Sequence, residues 1–353
     1  MTPQSEIPAR PTGGRNPKFE AIILFVREAF GLSESVYIEI TPLEGRGSDR
    51  IFFRLTWKPN HSAILIYYDP RRLENTYYAD IALFLRGIDV PATRLIQHDS
   101  ARCLIAMEDL GDTDLWSLRN APWEIRRTLY QKTLSIIHKL HCFPEKDFPS
   151  ARVKLMESFG PDLYRWEQDY FRDHFVRNVC GVELEPSFEK ELEAELSALA
   201  ERLNGTERCL IHRDLQSQNV MIHDGEPFLI DFQGMRFGSF FYDLGSLLCD
   251  PYVEFSSDQR MDLLLYYFNL SKQDLSWEGF QKMFWEASAQ RLMQALGAYG
   301  FLGLKKGLKT FLEHIPTGVQ NLQLASSQVA TFPCLQELSM GCQRVIEQKG
   351  GHS

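Results

Sequence analysis

The chain has 353 residues, 44% of them hydrophobic and 24% charged, the balance of an ordinary globular protein with enough material for two lobes around a sizeable core. Its 47 acidic against 38 basic side chains give a formal charge of -9, which disfavours nucleic acid as a partner because a polyanion asks for a basic surface. No apolar run approaches the ~18 residues of a membrane span, and the seven cysteines are scattered without a C-x-x-C pair; a reducing, cytoplasmic setting away from the membrane is expected, not a disulfide framework or zinc site.

Residues 1–17 hold Pro3, Pro8, Pro11, Pro17, Gly13 and Gly14 with no apolar segment and read as a flexible leader. Phe19, Ile22, Ile23, Val26 and Phe30 then recur at helical period over 18–30, and alternation predicts strands over 36–43, 51–57 and 63–68. Between the first two strands lies loop 44–50, where Gly45, Gly47 and Ser48 offer backbone amides of the kind that cradle phosphates; an ordinary hairpin loop is the alternative. A helix is expected over 74–85, then strands over 90–98 and 103–107 that run into the acidic turn Glu108, Asp109, Leu110, Gly111, Asp112. From there the pattern turns helical, over 122–141, 161–180 and 187–203. Residues 156–205 contain twelve acidic against five basic residues, which describes either a solvated face or the wall of a site for a cationic ligand. His138 and His141 lie three apart on one helix, but no third ligand is near in sequence, so they read as core or surface histidines.

The stretch from Leu210 to Phe232 organises the rest. His212, Arg213 and Asp214 are followed by Asn219 at the H-R-D-x-x-x-x-N spacing, then by an apolar strand, an Asp224, Gly225 turn, and a second apolar strand ending on Asp231. A hairpin there brings Asp214, Asn219 and Asp231 together. Such a trio suits phosphoryl transfer: one carboxylate positions the attacking hydroxyl and accepts its proton, while a carboxylate and an amide oxygen hold magnesium against nucleotide phosphates. The third strand has no lysine for those phosphates, and Arg50, Arg54, Arg71 and Arg72 are the candidates to replace it, with Glu74 a candidate for the paired glutamate. Asp243, inside an apolar helix, is read as a brace for the catalytic loop through backbone amides.

His212, Arg213, Asp214 and Asn219, with Ile230, Asp231, Phe232, Gln233 and Tyr242, Asp243, Leu244, resemble the aminoglycoside phosphotransferase and choline kinase group. The segment from Arg236, Phe237, Gly238 to Asp250, Pro251, Tyr252 is further similar to bacterial anomeric kinases of N-acetylmuramic acid and N-acetylglucosamine. The resemblance implies an α+β, bilobal protein-kinase-like fold, with a small antiparallel-sheet N-lobe over 18–109 and a mainly helical C-lobe over 110–353. It also implies ATP and Mg2+ as cofactors and a small sugar as partner, in a monomer or weak homodimer. By carry-over Asp214 is the base and Asn219 and Asp231 are the metal ligands. Gly45, Gly47, Ser48, Glu108, Asp109 and Leu110 are expected at the nucleotide, and Gln233, Arg236 and Glu167 at the acceptor. The alternatives are a kinase of a cationic alcohol, to which the acidic segment points, and a kinase-like binding protein with little turnover, to which the missing lysine points.

Overall fold

A computed structural model of the chain describes residues 17–43, 50–58 and 61–350. Its first layer is an antiparallel sheet in the order β1-β2-β3-β5-β4, made of β1 (Glu39–Leu43), β2 (Ile51–Thr56), β3 (Ser62–Tyr67), β4 (Leu95–Asp99) and β5 (Leu104–Glu108). Side chains alternate between the faces of such a sheet. Phe53, Leu55, Ala63, Leu65, Leu104 and Ala106 therefore share one face, where they bury against Ile22, Phe25 and Val26 of α1 (Pro17–Phe30). The other face carries Ile64, Ile66, Ile105 and Met107, packed with α2 (Leu73–Gly87) and continuous with the core of the second lobe.

Two strands are shorter than the alternation implied. Val36 is held in a turn, its N–H donating to Ser33 O at 3.1 Å, so β1 begins only at Glu39. Residues 90–94 leave the sheet because Pro91 has no N–H for a ladder. Its carbonyl instead accepts from Leu229 N at 2.9 Å, and Ala92 bridges Leu229, which fastens the first lobe to the second. Pro17, the last residue of the expected leader, already belongs to α1. The rest of that leader, and Gly45, Gly47 and Ser48 of the phosphate-loop expectation, lie outside the described residues.

Beyond β5 the chain is mainly helical: α3 (Trp123–His141), α4 (Pro161–Phe171), α5 (Pro186–Asn204), α6 (Phe240–Leu248), α7 (Ser257–Ser271), α8 (Trp277–Gly300), α9 (Ile315–Ser327) and α10 (Pro333–Gly350). The fold is thus bilobal and protein-kinase-like. Helix α8 is buried along most of its length against α4, α6 and α9, so the polar groups it buries, Glu286, Ser288, Gln290, Arg291 and Gln294, call for partners. The helix expected over 161–180 is α-helical only to Phe171 and continues as a π-helical segment, Arg172–Cys180. Here α8 comes close enough that a Cβ on Gly297 would lie 2.8 Å from Tyr170 Cδ1, and one on Gly300 would collide with the His174 carbonyl. His141 is a core residue, its Nδ1 at 2.6 Å from Tyr267 Oη and its Nε2 at 3.1 Å from Asp243 Oδ2. Among the described residues no helix is long and apolar enough to cross a membrane.

Candidate active site

The hairpin forms as the sequence implied. Strand β6 (Cys209–Ile211) leads into the loop carrying Asp214 and Asn219; β7 (Val220–His223) and β8 (Glu226–Leu229) then pair through His223 and Glu226 around Asp224 and Gly225, at φ 52 and 77. Two positive φ values in succession give the turn whose twist matches that of the strands it joins. Past Asp231 the chain returns as β9 (Arg236–Gly238), paired with β6. Ile230 N donates to Asn219 O at 3.0 Å, so the end of the hairpin lies directly against the loop. Asn219 Nδ2 donates to Asp214 O at 2.9 Å, which orients the amide and leaves Oδ1 as its acceptor for something else.

Arg213 and Asp231 hold φ values of 75 and 63, a conformation that costs non-glycine residues about 1–3 kcal/mol each. Several hydrogen bonds offset that cost. Asp243, fully buried, accepts His212 N at 2.7 Å and Arg213 N at 2.8 Å, the bracing role its place in the sequence suggested. His212 Nε2 donates to Ile230 O at 2.9 Å, which assigns its proton to Nε2 and leaves Nδ1 to accept from Asp214 N. A second brace went unread in the sequence: Asp250 accepts Ser217 N at 2.7 Å and Tyr252 N at 3.0 Å, and burial pushes its carboxyl up to about 6.

Two joined cavities meet at this loop. One, of ≈ 470 Å³, lies between the lobes and is lined both by apolar side chains, Leu43, Phe52, Ile64, Met107 and Met221, and by the polar Arg50, Asn219 and Asp231. Glu108, Asp109 and Leu110 line it too, but the two acidic side chains are engaged elsewhere. Glu108 turns to Arg94, and Asp109 takes a forked pair of bonds from Arg54 at 2.8 and 3.1 Å. The other cavity, of ≈ 360 Å³, is walled by Asp214, Gln233, Arg236, Arg291 and the aromatic rings of Tyr170, Tyr252, Tyr299, Phe301 and Phe311. Arg50, Gln218, Asn219 and Asp231 border both.

The structure separates the four arginines that the sequence left open. Arg54 ties β2 to Asp109 and Asp112, Arg71 pairs with Asp69 at the surface, and Arg72 stands 3.5 Å from Glu74. Arg50 alone of the four bonds Asp231, and it also donates to Gln233 Oε1 at 2.9 Å. Burial works to raise the Asp231 carboxyl, but the charge and hydrogen bond of Arg50 hold it below the ordinary range. Arg291 of α8, which sequence reasoning gave no role, donates to Asp214 Oδ1 at 2.7 Å and to Ser246 Oγ at 3.2 Å.

Gln233 and Arg236 line the second cavity, whereas Glu167 does not. Its carboxylate is 1% exposed and accepts from Tyr242 Oη at 3.0 Å and Gln290 Nε2 at 3.1 Å, with Arg213 Nη2 3.7 Å away. Burial raises its proton affinity, partly countered by Arg213. It underlies the site without reaching the space a ligand would fill.

Residues 39–280 match the Phosphotransferase enzyme family. The chain belongs to this family. Two relatives are N-acetylmuramate/N-acetylglucosamine kinases: one from Pseudomonas aeruginosa, 24% identical over 89% of this chain and 90% of its own, and one from Neisseria meningitidis serogroup B, 21% identical over 82% and 86%. Among solved structures, an ADP-bound aminoglycoside phosphotransferase superposes with a TM-score of 0.57 at 12% identity, covering 86% of this chain and 98% of that one. This member of the phosphotransferase family is accordingly a kinase acting on a hydroxyl acceptor, and the resemblance read from Asp214, Asn219, Asp231 and Asp243 is borne out at the level of the family.

Proposed function

We propose that the chain transfers the γ-phosphoryl group of ATP, with magnesium, to the anomeric hydroxyl of an amino sugar, N-acetylmuramate or N-acetylglucosamine. The observation that carries this reading is the convergence of Asp214, Asn219 and Asp231 where the two cavities join. The interlobe cleft suits a nucleotide, with apolar side chains to take a base and polar ones to take phosphates. One carboxylate and one amide oxygen are hard donors of the kind magnesium takes from proteins, the remaining positions falling to phosphates and water. When bound, the metal supplies neutralisation of the charge that develops on the transferring group.

The chain's own groups have distinct tasks in this reading. Asp214 orients the acceptor hydroxyl and takes its proton, and Arg291, bonded to Oδ1, fixes the carboxylate so that Oδ2 meets the substrate. Asn219 and Asp231 hold the metal. Arg50, released from Asp231, turns to the phosphates in place of the absent strand lysine; its planar fork suits two phosphate oxygens. The aromatic walls of the second cavity suit the apolar face of a sugar ring, with Gln233 at its polar edge.

A cationic alcohol is the less favoured acceptor. Five arginines (Arg50, Arg72, Arg213, Arg236 and Arg291) line the second cavity against three carboxylates (Glu74, Asp214 and Asp231). The acidic excess over 156–205 does not change this, since Asp162, Asp169 and Asp173 pair with Arg165, Arg172 and Arg177 on the outer surface. The test is ATP-dependent ADP release across N-acetylmuramate, N-acetylglucosamine, their 1-O-methyl glycosides, choline and an aminoglycoside. Release with the free sugars that disappears on methylation of the anomeric oxygen is the expected result. Turnover with choline or the aminoglycoside alone would replace the reading.

A further inference from the structure

The charges around the second cavity pair off one by one. Arg50 bonds Asp231, Arg291 bonds Asp214 and Arg72 lies beside Glu74, so each of the three carboxylates in the wall has its cation. Arg213 has the buried Glu167 behind it. Arg236 is left over. It is 8% exposed, donates through Nε to Gly234 O at 3.1 Å, and lies over the Phe159 ring at 5.2 Å. Its two terminal nitrogens have no protein partner among the described residues, although the guanidinium forms part of the cavity wall. The terminal nitrogens are not sealed from solvent, so an anion entering the cavity exchanges water for a charge-assisted pair of bonds. Burial and the neighbouring Arg213 charge lower its pKa to about 10, which still leaves it cationic at neutral pH.

We propose that Arg236 is a subsite for a carboxylate carried by the acceptor, and so the residue that makes this kinase prefer an acidic amino sugar over its neutral counterpart. The inference rests on the amino-sugar reading above and deepens it. The chemistry is specific. A guanidinium presents two parallel N–H groups at the spacing of carboxylate oxygens, and Arg236 keeps its terminal edge free while Nε is spent on the backbone. The anchor at Gly234 O and the aromatic face of Phe159 fix the plane of the group, so little side-chain freedom is lost on binding. N-acetylmuramate bears such a carboxylate on its lactyl ether, and N-acetylglucosamine is the same sugar without it. With the anomeric hydroxyl at Asp214, one cavity wall then receives the reacting end and another the charged end.

The comparison of these two sugars tests the subsite on a single preparation, so partial misfolding of a variant cancels. In the unaltered protein, calorimetric titration without nucleotide is expected to give tighter binding of N-acetylmuramate than of N-acetylglucosamine. In Arg236→Gln the ratio of kcat/KM for the acid over the neutral sugar should fall about 10- to 100-fold, the worth of a charge-assisted pair of hydrogen bonds, mainly through KM. Arg236→Lys should recover part of that ratio by restoring the charge without the fork. Equal binding of both sugars by the unaltered protein, or an unchanged ratio in Arg236→Gln, overturns the subsite. Loss concentrated in ATP affinity overturns it too, assigning Arg236 to the nucleotide phosphates. Phosphorylation of neither sugar overturns the amino-sugar reading by itself; preferential, Arg236-dependent binding of the acid would still uphold the anion subsite in that case.

Discussion

Replacing Arg50 by methionine should weaken nucleotide binding more than it weakens the fold. Among the described residues Arg50 bonds Asp231 and Gln233 Oε1, the latter at 2.9 Å, and lies 5.3 Å from the Phe52 ring centre and 5.8 Å from that of Tyr78. Methionine keeps the apolar contact and removes only the fork. In the proposed reading the same fork serves phosphate oxygens when nucleotide binds, and a hydrogen bond to a charged group contributes about 1.5–3 kcal/mol. At about 1.4 kcal/mol per factor of ten, the dissociation constant for ATP should rise roughly 10- to 150-fold. Arg50→Lys, which retains charge but not the two-pronged geometry, should fall between the variant and the unaltered protein. Titration calorimetry with ATP and magnesium, run alongside thermal unfolding, separates binding from stability. An ATP affinity within twofold of the original in folded Arg50→Met would refute the assignment of Arg50 as the phosphate clamp.

Arg291→Met should lower kcat by about 10- to 100-fold with little change in ATP affinity, because Asp214 loses the bond that fixes Oδ1; steady-state kinetics at saturating ATP checks this. Asp250 provides a pH signature. Its folded-state pKa of about 6 lies above the ordinary aspartate value, so its contribution to stability is fully present below that ordinary value and is lost as pH rises through about 6, by about 3 kcal/mol in total. Denaturant unfolding at pH 4.5, 6 and 7.5 should show this slope in the unaltered protein relative to Asp250→Asn, and parallel curves would contradict it. Gly300→Ala should destabilise by about 2 kcal/mol or more and move Tyr170 and Phe301 in the wall of the second cavity, since the new methyl meets the His174 carbonyl; a midpoint within about 2 °C of the original would show that α8 can retreat without cost.

Local signals in the sequence were enough for the catalytic hairpin. The Asp-Gly turn sets the register, and register sets where Asn219 and Asp231 fall, so their approach follows from a stretch of chain under twenty-five residues long. Asp243 was legible for a related reason: a carboxylate in the run of Phe240 to Leu248 has to be bonded, and backbone amides of the preceding loop are the nearest donors. The choice among arginines was not local. Arg50 and Arg54 share a face of β2 by alternation, and which one meets Asp231 depends on where the strand crosses the cleft, a tertiary fact. Glu167 shows the opposite error. The resemblance put it at the acceptor, but Tyr164, Glu167, Gln168 and Phe171 fall at i, i+3, i+4 and i+7, the buried stripe, and that spacing carried the warning. Arg291 and Asp250 went unread because each acts on a loop far away in sequence.

The most direct test of the account is single-turnover phosphoryl transfer by Asp214→Asn, with N-acetylmuramate as acceptor and ATP binding measured on the same sample. Transfer should drop by three orders of magnitude or more, roughly the share expected of a positioned base together with its hold on the hydroxyl, while magnesium-dependent ATP affinity stays within a few-fold because Asn219, Asp231 and Arg50 are untouched. Transfer at near the original rate would contradict the assignment of Asp214 as the base, and with it the central claim.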